Sequence, residues 1–148
     1  MTIAAPTDPS ALLQRAGLRV TRQRVAAIEA LTEHQHVTAD DLVSLCAEAG
    51  VSRQAAFLIV ADLTGAGIVR RLDLPGQAAR YELEHSDNHH HAVCTSCGLV
   101  VDVPCVGTEV PCITAPNDLG MTIRVAEVLY RGLCATCELD QTGARGES

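Results

Sequence analysis

The spacing of apolar side chains predicts four helices in the first half of the chain. Each predicted helix begins at a polar capping residue, ends at a glycine, or does both. The four segments are residues 10–16 before Gly17, the run Val25, Ile28 and Leu31 after Thr21, the run Leu42, Leu45 and Cys46 between Thr38 and Gly50, and the run Phe57, Val60 and Leu63 between Ser52 and Gly67. Thr38 and Asp41 also have the spacing of a capping box, with Asp in place of the usual Glu.

Two short segments with strand character follow the fourth helix. Residues 68–72 and 79–83 flank the turn-forming sequence Leu74-Pro-Gly-Gln77, which predicts a hairpin. Helices followed by a hairpin are the element order of a winged helix-turn-helix domain, although other small α+β domains share it. In a winged helix the fourth helix would be the recognition helix, with Ser52, Arg53 and Gln54 at the end that meets base edges.

The composition changes near residue 85, where histidine and cysteine become frequent. β-Branched runs at residues 99–103 and 121–129 predict two strands in this second part. Prolines interrupt the segment between them, so residues 106–119 are predicted to form a short helix and a loop. The polar residues 139–148 are predicted to be a disordered tail. The predicted fold class is therefore α+β, with a domain boundary between residues 84 and 85.

The charge distribution leaves only one half of the chain suited to phosphates. The formal net charge is −7, but residues 1–83 hold eight Arg and nine acidic residues, whereas residues 84–148 hold three Arg and nine acidic residues. This balance excludes a general basic coat for nucleic acid. One Phe, two Tyr and no Trp also leave few rings on which single-stranded bases could stack. Any contact with DNA must be local and is expected in the first half.

The sequence contains no apolar run of membrane-spanning length, and residues 1–9 lack the basic and apolar regions of a signal peptide. We therefore expect a cytoplasmic protein without a membrane partner. In a reducing compartment, the seven cysteines are expected to be metal ligands or redox thiols rather than disulfides.

Two Cys-x-x-Cys pairs are the strongest chemical signal in the sequence. Cys94 and Cys97 form the first pair, and Cys134 and Cys137 form the second. Four thiolates in two such pairs match the ligands of a closed, tetrahedral zinc site. A redox-active motif is the alternative, which the presence of two copies disfavours. The pattern predicts a structural zinc ion that joins the start of the second part to its end.

Histidines and carboxylates form a second candidate metal site. His89 and His91 would lie on one face of an extended strand, because side chains alternate along it. Glu82, Asp87 and Asp102 are near enough in sequence to add oxygen ligands. A surface histidine run without any ligand role is the alternative. His36, taken alone, is an ordinary exposed histidine.

Cys105 and Cys112 stand outside both Cys-x-x-Cys pairs. Thiols near a metal site can be additional ligands, peroxide-reactive groups or inert core residues. The spacing of these two cysteines does not decide between the three roles.

Several stretches of the chain together resemble the ferric uptake regulator (Fur) family. Two of them are Ser52-Arg-Gln-Ala-Ala-Phe57 and His89-His-His-Ala-Val-Cys94-Thr-Ser-Cys97-Gly98. The others are residues 16–21 with Arg24, and residues 36–42, 65–69 and 79–82. In this order and at this spacing, the resemblance extends over residues 10–138.

The resemblance implies a homodimer that binds an AT-rich inverted repeat in double-stranded DNA and represses transcription when a regulatory metal is bound. It implies a winged-helix DNA-binding domain over residues 1–84 and a small α/β dimerisation domain over residues 85–138. The implied ligands are Cys94, Cys97, Cys134 and Cys137 for structural Zn²⁺, and His36, Glu82, His89, His91 and Asp102 for regulatory Fe²⁺ or Mn²⁺. The residues expected to contact DNA are Arg19, Ser52, Arg53, Gln54 and Phe57.

Within the family, residues 87–91 and 130–134, with Cys105 and Cys112, resemble the actinobacterial branch that responds to peroxide. We therefore expect a repressor of peroxide-defence or iron-homeostasis genes, with no enzymatic activity and no small organic substrate. Peroxide would oxidise either ligand histidines or thiols such as Cys105 and Cys112. A family member that senses zinc or nickel supply is the alternative.

Two other classes of protein compete with a regulator. A zinc enzyme such as a nucleobase deaminase requires a His-x-Glu motif with a Pro-Cys-x-x-Cys partner, and both are absent from the sequence. A zinc-stabilised interaction module would leave the histidines without a function. Three positions also depart from the family pattern. Phe57 and Leu58 replace a common Tyr and Arg, and Ala126 lies near a ligand histidine of many members.

Overall fold

The structure, a computed structural model, describes residues 8–85, 87, 89–105, 119–123 and 126–143. The chain divides into two units, Met1–His85 and Ser86–Ser148. Of the helix and loop predicted at residues 106–119, all but Leu119 lie outside the described residues, and so does Cys112. Within the described ranges, no helix combines the length and the apolar composition that crossing a membrane requires.

Four helices of the first unit confirm the prediction, and each begins at a polar side chain that caps it. They are α1 (Pro9–Arg15), α2 (Arg22–Glu33), α3 (Ala39–Leu45) and α4 (Arg53–Gly65). The caps, whose side-chain oxygens accept a backbone N–H of the first turn, are Asp8, Thr21, Thr38 and Ser52. Asp41 also accepts the backbone N–H of Thr38 at 2.8 Å, which completes the predicted capping box.

The third helix is shorter than predicted. A 3-10 helix, Ala47–Ala49, replaces the last turn before Gly50. The carbonyl groups of Glu48 and Gly50 accept hydrogen bonds from Arg22 (2.6 Å) and Gln23 (3.0 Å) of α2. These tertiary hydrogen bonds hold the segment before α4 against α2, and helical periodicity cannot anticipate them.

The apolar faces of the four helices form a common core. Its largest fully buried side chains are Leu13, Ile28, Leu31, Leu42, Val60 and Leu63. Two side chains expected on the same faces are exposed instead: Leu45 is 42% exposed and Phe57 is 47% exposed. Leu45 is the last residue of α3, so the apolar face of the helix does not extend beyond it.

A two-stranded hairpin completes the first unit and confirms the predicted winged helix-turn-helix. Strands β1 (Val69–Leu72) and β2 (Arg80–Leu83) are antiparallel. Tyr81 of β2 also forms an isolated antiparallel bridge with Val37, through N–H to carbonyl hydrogen bonds of 3.1 and 2.8 Å. The bridge attaches the hairpin to the segment that precedes α3.

The second unit contains a three-stranded sheet and one helix. Its elements are β3 (His89–Cys94), β4 (Val100–Pro104), β5 (Leu129–Gly132) and α5 (Ala135–Gly143). The strand order is β4-β3-β5, with β4 antiparallel and β5 parallel to the central β3. Strand β4 lies where the sequence predicts one.

Two expectations for the second unit are corrected. The strand predicted at residues 121–129 is wrong, because residues 119–123 and 126–128 form no strand and β5 begins only at Leu129. The position of β5 is set by its pairing with β3, and the chain then continues to Cys134. The β-branched composition of residues 121–129 alone does not locate this strand. Residues 139–143, predicted as part of a disordered tail, belong to α5, which starts directly after Cys134.

Removing the Thr38 cap tests the contribution of the capping box. Thr38→Ala is expected to lower the free energy of unfolding by about 1 kcal/mol, because the Asp41 N–H loses its acceptor. The matched control is Thr32→Ala, since the Thr32 hydroxyl only bonds back to the Ile28 carbonyl inside α2. Urea unfolding followed by circular dichroism should show a loss for Thr38→Ala and none for Thr32→Ala. Equal losses would contradict a specific role for the cap.

Candidate metal centres and nucleic-acid interface

Four cysteine side chains converge in the second unit. The Sγ atoms of Cys94, Cys97, Cys134 and Cys137 all lie within 4.8 Å of one another. Those of Cys97 and Cys134 are 3.8 Å apart, which matches the edge of a tetrahedron built on Zn–S bonds of about 2.3 Å. None of the four forms a disulfide. This four-cysteine cluster is consistent with the predicted structural zinc site.

Strands β3 and β5 bring the two cysteine pairs together. Their parallel register places Cys94 opposite Gly132, and the Thr95 N–H donates to the Gly132 carbonyl at 2.8 Å. The Cys134 N–H donates to Cys94 Sγ at 3.4 Å. The first pair is closed by Gly98, whose N–H donates to the Cys94 carbonyl and whose φ of 77° favours glycine. Strand pairing and backbone hydrogen bonds therefore bring together the two cysteine pairs, which come from opposite ends of the unit.

The surroundings of Cys94 and Cys137 shift the pKa values of their thiols in opposite directions. Backbone N–H groups, first that of Cys97 and then that of Cys134, lower the pKa of Cys94 to about 6. The Ser96 hydroxyl favours the thiolate of Cys137, but the neighbouring sulfur atoms, led by Cys134, outweigh it and raise the pKa of Cys137 to about 12. A metal-free cluster at neutral pH thus keeps at least one proton, which a bound zinc ion would displace.

His36 and Glu82 form a pair within the first unit. Their Nε2 and Oε2 atoms lie 3.0 Å apart, and Glu82 is only 3% exposed. The bridge between Val37 and Tyr81 places the two residues side by side. His36 has a φ of 58°, an uncommon backbone region for a residue with a side chain, and Arg80 donates to its carbonyl at 3.2 Å. Such a conformation at a polar pair is typical of a functional position.

His89, His91 and Asp102 form a group within the second unit. The register of β3 and β4 places Asp102 opposite His91, and its Oδ1 lies 3.4 Å from His91 Nε2 and 3.6 Å from His89 Nε2. The two imidazole rings are 4.8 Å apart between centroids. His89 Nδ1 lies 3.0 Å from Asp87 Oδ1, a contact of the kind that orients a metal-ligating imidazole. The group therefore offers two imidazoles and one carboxylate to the same region.

The first turn of α4 is exposed, as expected for a surface that meets DNA. Ser52, Arg53 and Gln54 are all exposed. The Ser52 oxygen accepts the Ala55 N–H at 3.1 Å as a helix cap, which leaves its hydroxyl hydrogen available to a phosphate. Leu58 is 60% exposed further along the helix.

Arg53 is held by two neighbours. Its Nε donates to Asp40 Oδ1 at 2.7 Å, and its Nη2 lies 3.5 Å from Asp40 Oδ2. Its guanidinium carbon lies 5.3 Å from the centroid of the Phe57 ring. The hydrogen bond from Arg53 lowers the pKa of Asp40. The sequence contains no signal for Asp40, because its contact with Arg53 joins two different helices.

Arg24 connects the segment that carries Arg19 with α4. Its Nη1 donates to the Arg19 carbonyl at 2.9 Å, and its Nη2 donates to Asp62 Oδ2 at 2.6 Å. Arg19 itself is exposed. Arg24 was part of the family pattern without an assigned role, and the structure shows that it links two parts of the predicted DNA-binding surface.

The remaining described cysteines lie outside the four-cysteine cluster. Cys46 is 3% exposed, and burial raises the pKa of its thiol, as expected of a core residue. Cys105 follows β4, is partly buried and forms no disulfide.

Comparison with known proteins points in one direction. The sequence profile of the ferric uptake regulator family matches residues 15–123. Transcriptional regulator FurA of Mycobacterium tuberculosis is 44% identical over 137 residues, which cover 91% of this chain and 93% of that relative.

Two solved structures share the fold. The Vibrio cholerae ferric uptake regulator superposes with a TM-score of 0.67 at 24% identity, covering 86% of this chain and 100% of that chain. The Campylobacter jejuni peroxide stress regulator superposes with a TM-score of 0.60 at 20% identity, covering 86% of this chain and 95% of that chain. They confirm the predicted α+β architecture.

Replacing one member of the four-cysteine cluster tests the zinc site. Cys97→Ser is expected to remove the tightly held zinc, because a tetrahedral site that loses a thiolate is no longer closed. Cys105→Ser is the matched control, since Cys105 lies outside the cluster. Elemental analysis after dialysis against a mild chelator should find one zinc per chain in the wild type and in Cys105→Ser, and none in Cys97→Ser. Zinc retained by Cys97→Ser would refute the assignment.

Proposed function

Because this chain belongs to the ferric uptake regulator family, we propose that it is a transcriptional repressor whose binding to DNA depends on a regulatory metal ion. It acts as a homodimer on an AT-rich inverted repeat and leaves the operator when the metal is lost or the protein is oxidised. Its relatives are transcriptional regulators rather than enzymes. The observation that carries the proposal is that each unit contains a histidine and carboxylate group of its own.

Each group supplies only part of the five-residue donor set that the family resemblance implies. The first unit supplies His36 and Glu82, and the second supplies His89, His91 and Asp102. Imidazole and carboxylate ligands without sulfur suit ferrous iron and manganese. Family resemblance adds that all five residues ligate one regulatory ion, and the two groups together provide the donor set that such an ion requires.

Shared ligation would couple metal binding to DNA binding. A bound Fe²⁺ or Mn²⁺ ion supplies the positive charge that lets imidazoles and carboxylates occupy one centre. His36 and Glu82 belong to the proposed DNA-binding domain, residues 1–84, and the other ligands to the proposed dimerisation domain, residues 85–138. The arrangement in which all five ligate is favoured by the free energy of ligation, and we assign it to the DNA-competent state. Loss of any ligand returns the population to the other arrangements.

The second unit also supports the proposed homodimer. Several of its large apolar side chains are exposed, and a contiguous patch of such side chains is a candidate surface for association. Among them are Leu99, Val101, Met121, Tyr130, Leu133 and Leu139. The two winged helices of a dimer would then meet two half-sites of an inverted repeat.

Exposed side chains of the first unit form the proposed DNA surface. Arg53 and Gln54 read base edges in the major groove, Ser52 holds a phosphate, and Phe57 contacts thymine methyl groups. Arg19 enters the narrow minor groove of AT-rich DNA. The contacts of Arg24 with the Arg19 carbonyl and with Asp62 of α4 fix the spacing between these two parts of the surface.

Oxidation by peroxide provides the release. Iron-catalysed oxidation of His36 or His91 would remove an imidazole ligand from the regulatory site. Oxidation of Cys105 or Cys112 would act through a thiolate instead. The first route requires iron in the site, whereas the second does not, so the two can be separated by the choice of metal.

Metal stoichiometry tests whether the two groups share one ion. His36→Ala and His91→Ala are each expected to weaken Mn²⁺ binding by more than about 100-fold, because loss of a direct ligand should exceed the loss known for outer-shell partners. His34→Ala is the matched control, since His34 is exposed and outside both groups. Calorimetric titration should find one exchangeable Mn²⁺ per chain in the wild type and in His34→Ala. Two exchangeable ions, with each variant losing only one, would refute shared ligation.

DNA affinity tests the regulatory role and the peroxide response. Saturating Mn²⁺ is expected to raise the affinity for a duplex selected from random sequences by about 5- to 150-fold over the chelated protein. Hydrogen peroxide should then release DNA from the Fe²⁺-loaded protein and leave the Mn²⁺-loaded protein bound if histidine is the target. Release in both cases would assign the response to thiols.

A response of DNA affinity to Zn²⁺ or Ni²⁺ alone would replace peroxide sensing with metal-supply sensing. A DNA affinity that does not change with any metal would refute the regulator.

A further inference from the structure

The contacts of Arg53 within the protein differ from those expected of a side chain that only attracts phosphate. It occupies the first position of α4, yet its guanidinium is bonded to an acidic side chain of another helix. An arginine that served only to attract phosphate would gain nothing from a carboxylate beside it, because the carboxylate repels phosphate. The pairing with Asp40 therefore needs a different explanation.

The geometry of the pair leaves one edge of the guanidinium available. Asp40 engages the side-on edge, through Nε at 2.7 Å and Nη2 at 3.5 Å. Arginine carries five N–H donors, so Nη1 and the outer hydrogen of Nη2 remain on the adjoining, end-on edge. Two parallel donors at that spacing match O6 and N7 of guanine in the major groove.

Phe57 restricts the same side chain from a second direction. Its ring lies under the guanidinium, at 5.3 Å from centroid to carbon, one helical turn after Arg53. A carboxylate on one edge and a ring on one face together limit the rotations open to a long side chain. Both contacts remain at the surface, with the Arg53 and Asp40 side chains 72% and 59% exposed, so a base can approach the available edge.

From this arrangement we infer that Asp40 is a positioning residue that orients Arg53 to read a guanine in each half-site, which rests on the proposed DNA-binding function. Asp40 acts through Arg53 and makes no contact with the base itself. It increases discrimination between bases by holding the guanidinium in the reading orientation, and it lowers general affinity by repelling phosphates. The operator half-site accordingly contains one G·C pair whose guanine Arg53 recognises.

The alternative is that Asp40 competes with DNA for Arg53. In that case removal of Asp40 would release the arginine and increase its preference for guanine. Under the inference, removal of Asp40 lowers the base preference, whereas the affinity for unrelated DNA stays the same or rises. Measuring both quantities separates the two roles.

The test selects duplexes from a fully randomised library with the Mn²⁺-loaded, full-length protein, and then measures affinities for the selected site and for its single-base variants. The wild type is expected to prefer the guanine by about 5- to 150-fold over other bases at that position. Arg53→Ala should abolish this preference. Asp40→Ala should reduce it by about 2- to 5-fold, because the strength of a solvent-exposed ion pair limits how far Asp40 can bias the orientation of Arg53.

Two further variants distinguish positioning from a structural role. Asp40→Asn keeps an oxygen that accepts from Arg53 Nε, so it should retain more of the preference than Asp40→Ala. In the Arg53→Ala background, Asp40→Ala should cause no further change in base preference, since the two residues act as one unit. Glu33→Gln removes a negative charge from an exposed site on α2 and should leave the preference unchanged. Thermal unfolding of each variant reports any effect on α3.

The outcomes separate this inference from the function on which it rests. If the wild type selects no sequence, the proposed repressor function fails and the inference fails with it. If the wild type selects a site in which no guanine preference depends on Arg53, only the inference fails. An unchanged or increased guanine preference in Asp40→Ala, or additive effects of the two alanine variants, would likewise overturn it.

Discussion

The convergence of four cysteine sulfur atoms is the constraint on which the second unit depends. Every residue of β5 is exposed, and α5 has no buried residue, so apolar burial within the chain does not place either element. At the size of this unit, Ser86–Ser148, a hydrophobic core gives only marginal stability. Zinc binding would supply the missing free energy, because metal and fold then form together. The same strand that carries Cys94 also carries His89 and His91, so the candidate regulatory ligands are positioned by the proposed zinc site.

The first unit is organised by a different balance of forces. Its core of leucine, isoleucine and valine side chains fixes the helices, and polar side chains of α2 then fix the segments proposed to face DNA. Arg22 and Gln23 hold the segment before α4, and Arg24 holds its far half. These arginines stabilise the fold. With a net charge of −7, the protein has little general attraction for DNA, and affinity must come from a few oriented contacts.

The inferred role of Asp40 favours specificity over affinity. Exposed ion pairs contribute little to stability, so the pair between Arg53 and Asp40 is better understood as an orienting contact. This chain lacks the family's usual Tyr and Arg at positions 57 and 58, and an oriented Arg53 would supply a base contact in their place. A different set of side chains on the same helix can recognise a different half-site while the metal-dependent switch stays the same.

The sequence by itself determined the local features of this protein. Capping residues and helical periodicity located all four helices of the first unit, a turn signal located the hairpin, and two Cys-x-x-Cys pairs predicted the four sulfur atoms that the fold brings together. These signals are reliable because caps, turns and metal-binding pairs act between residues only a few positions apart. Tertiary structure alone decided where α3 ends, where β5 begins and that Asp40 holds Arg53. Each of these depends on contacts between segments distant in the chain, and no local preference encodes which distant partner a side chain will meet.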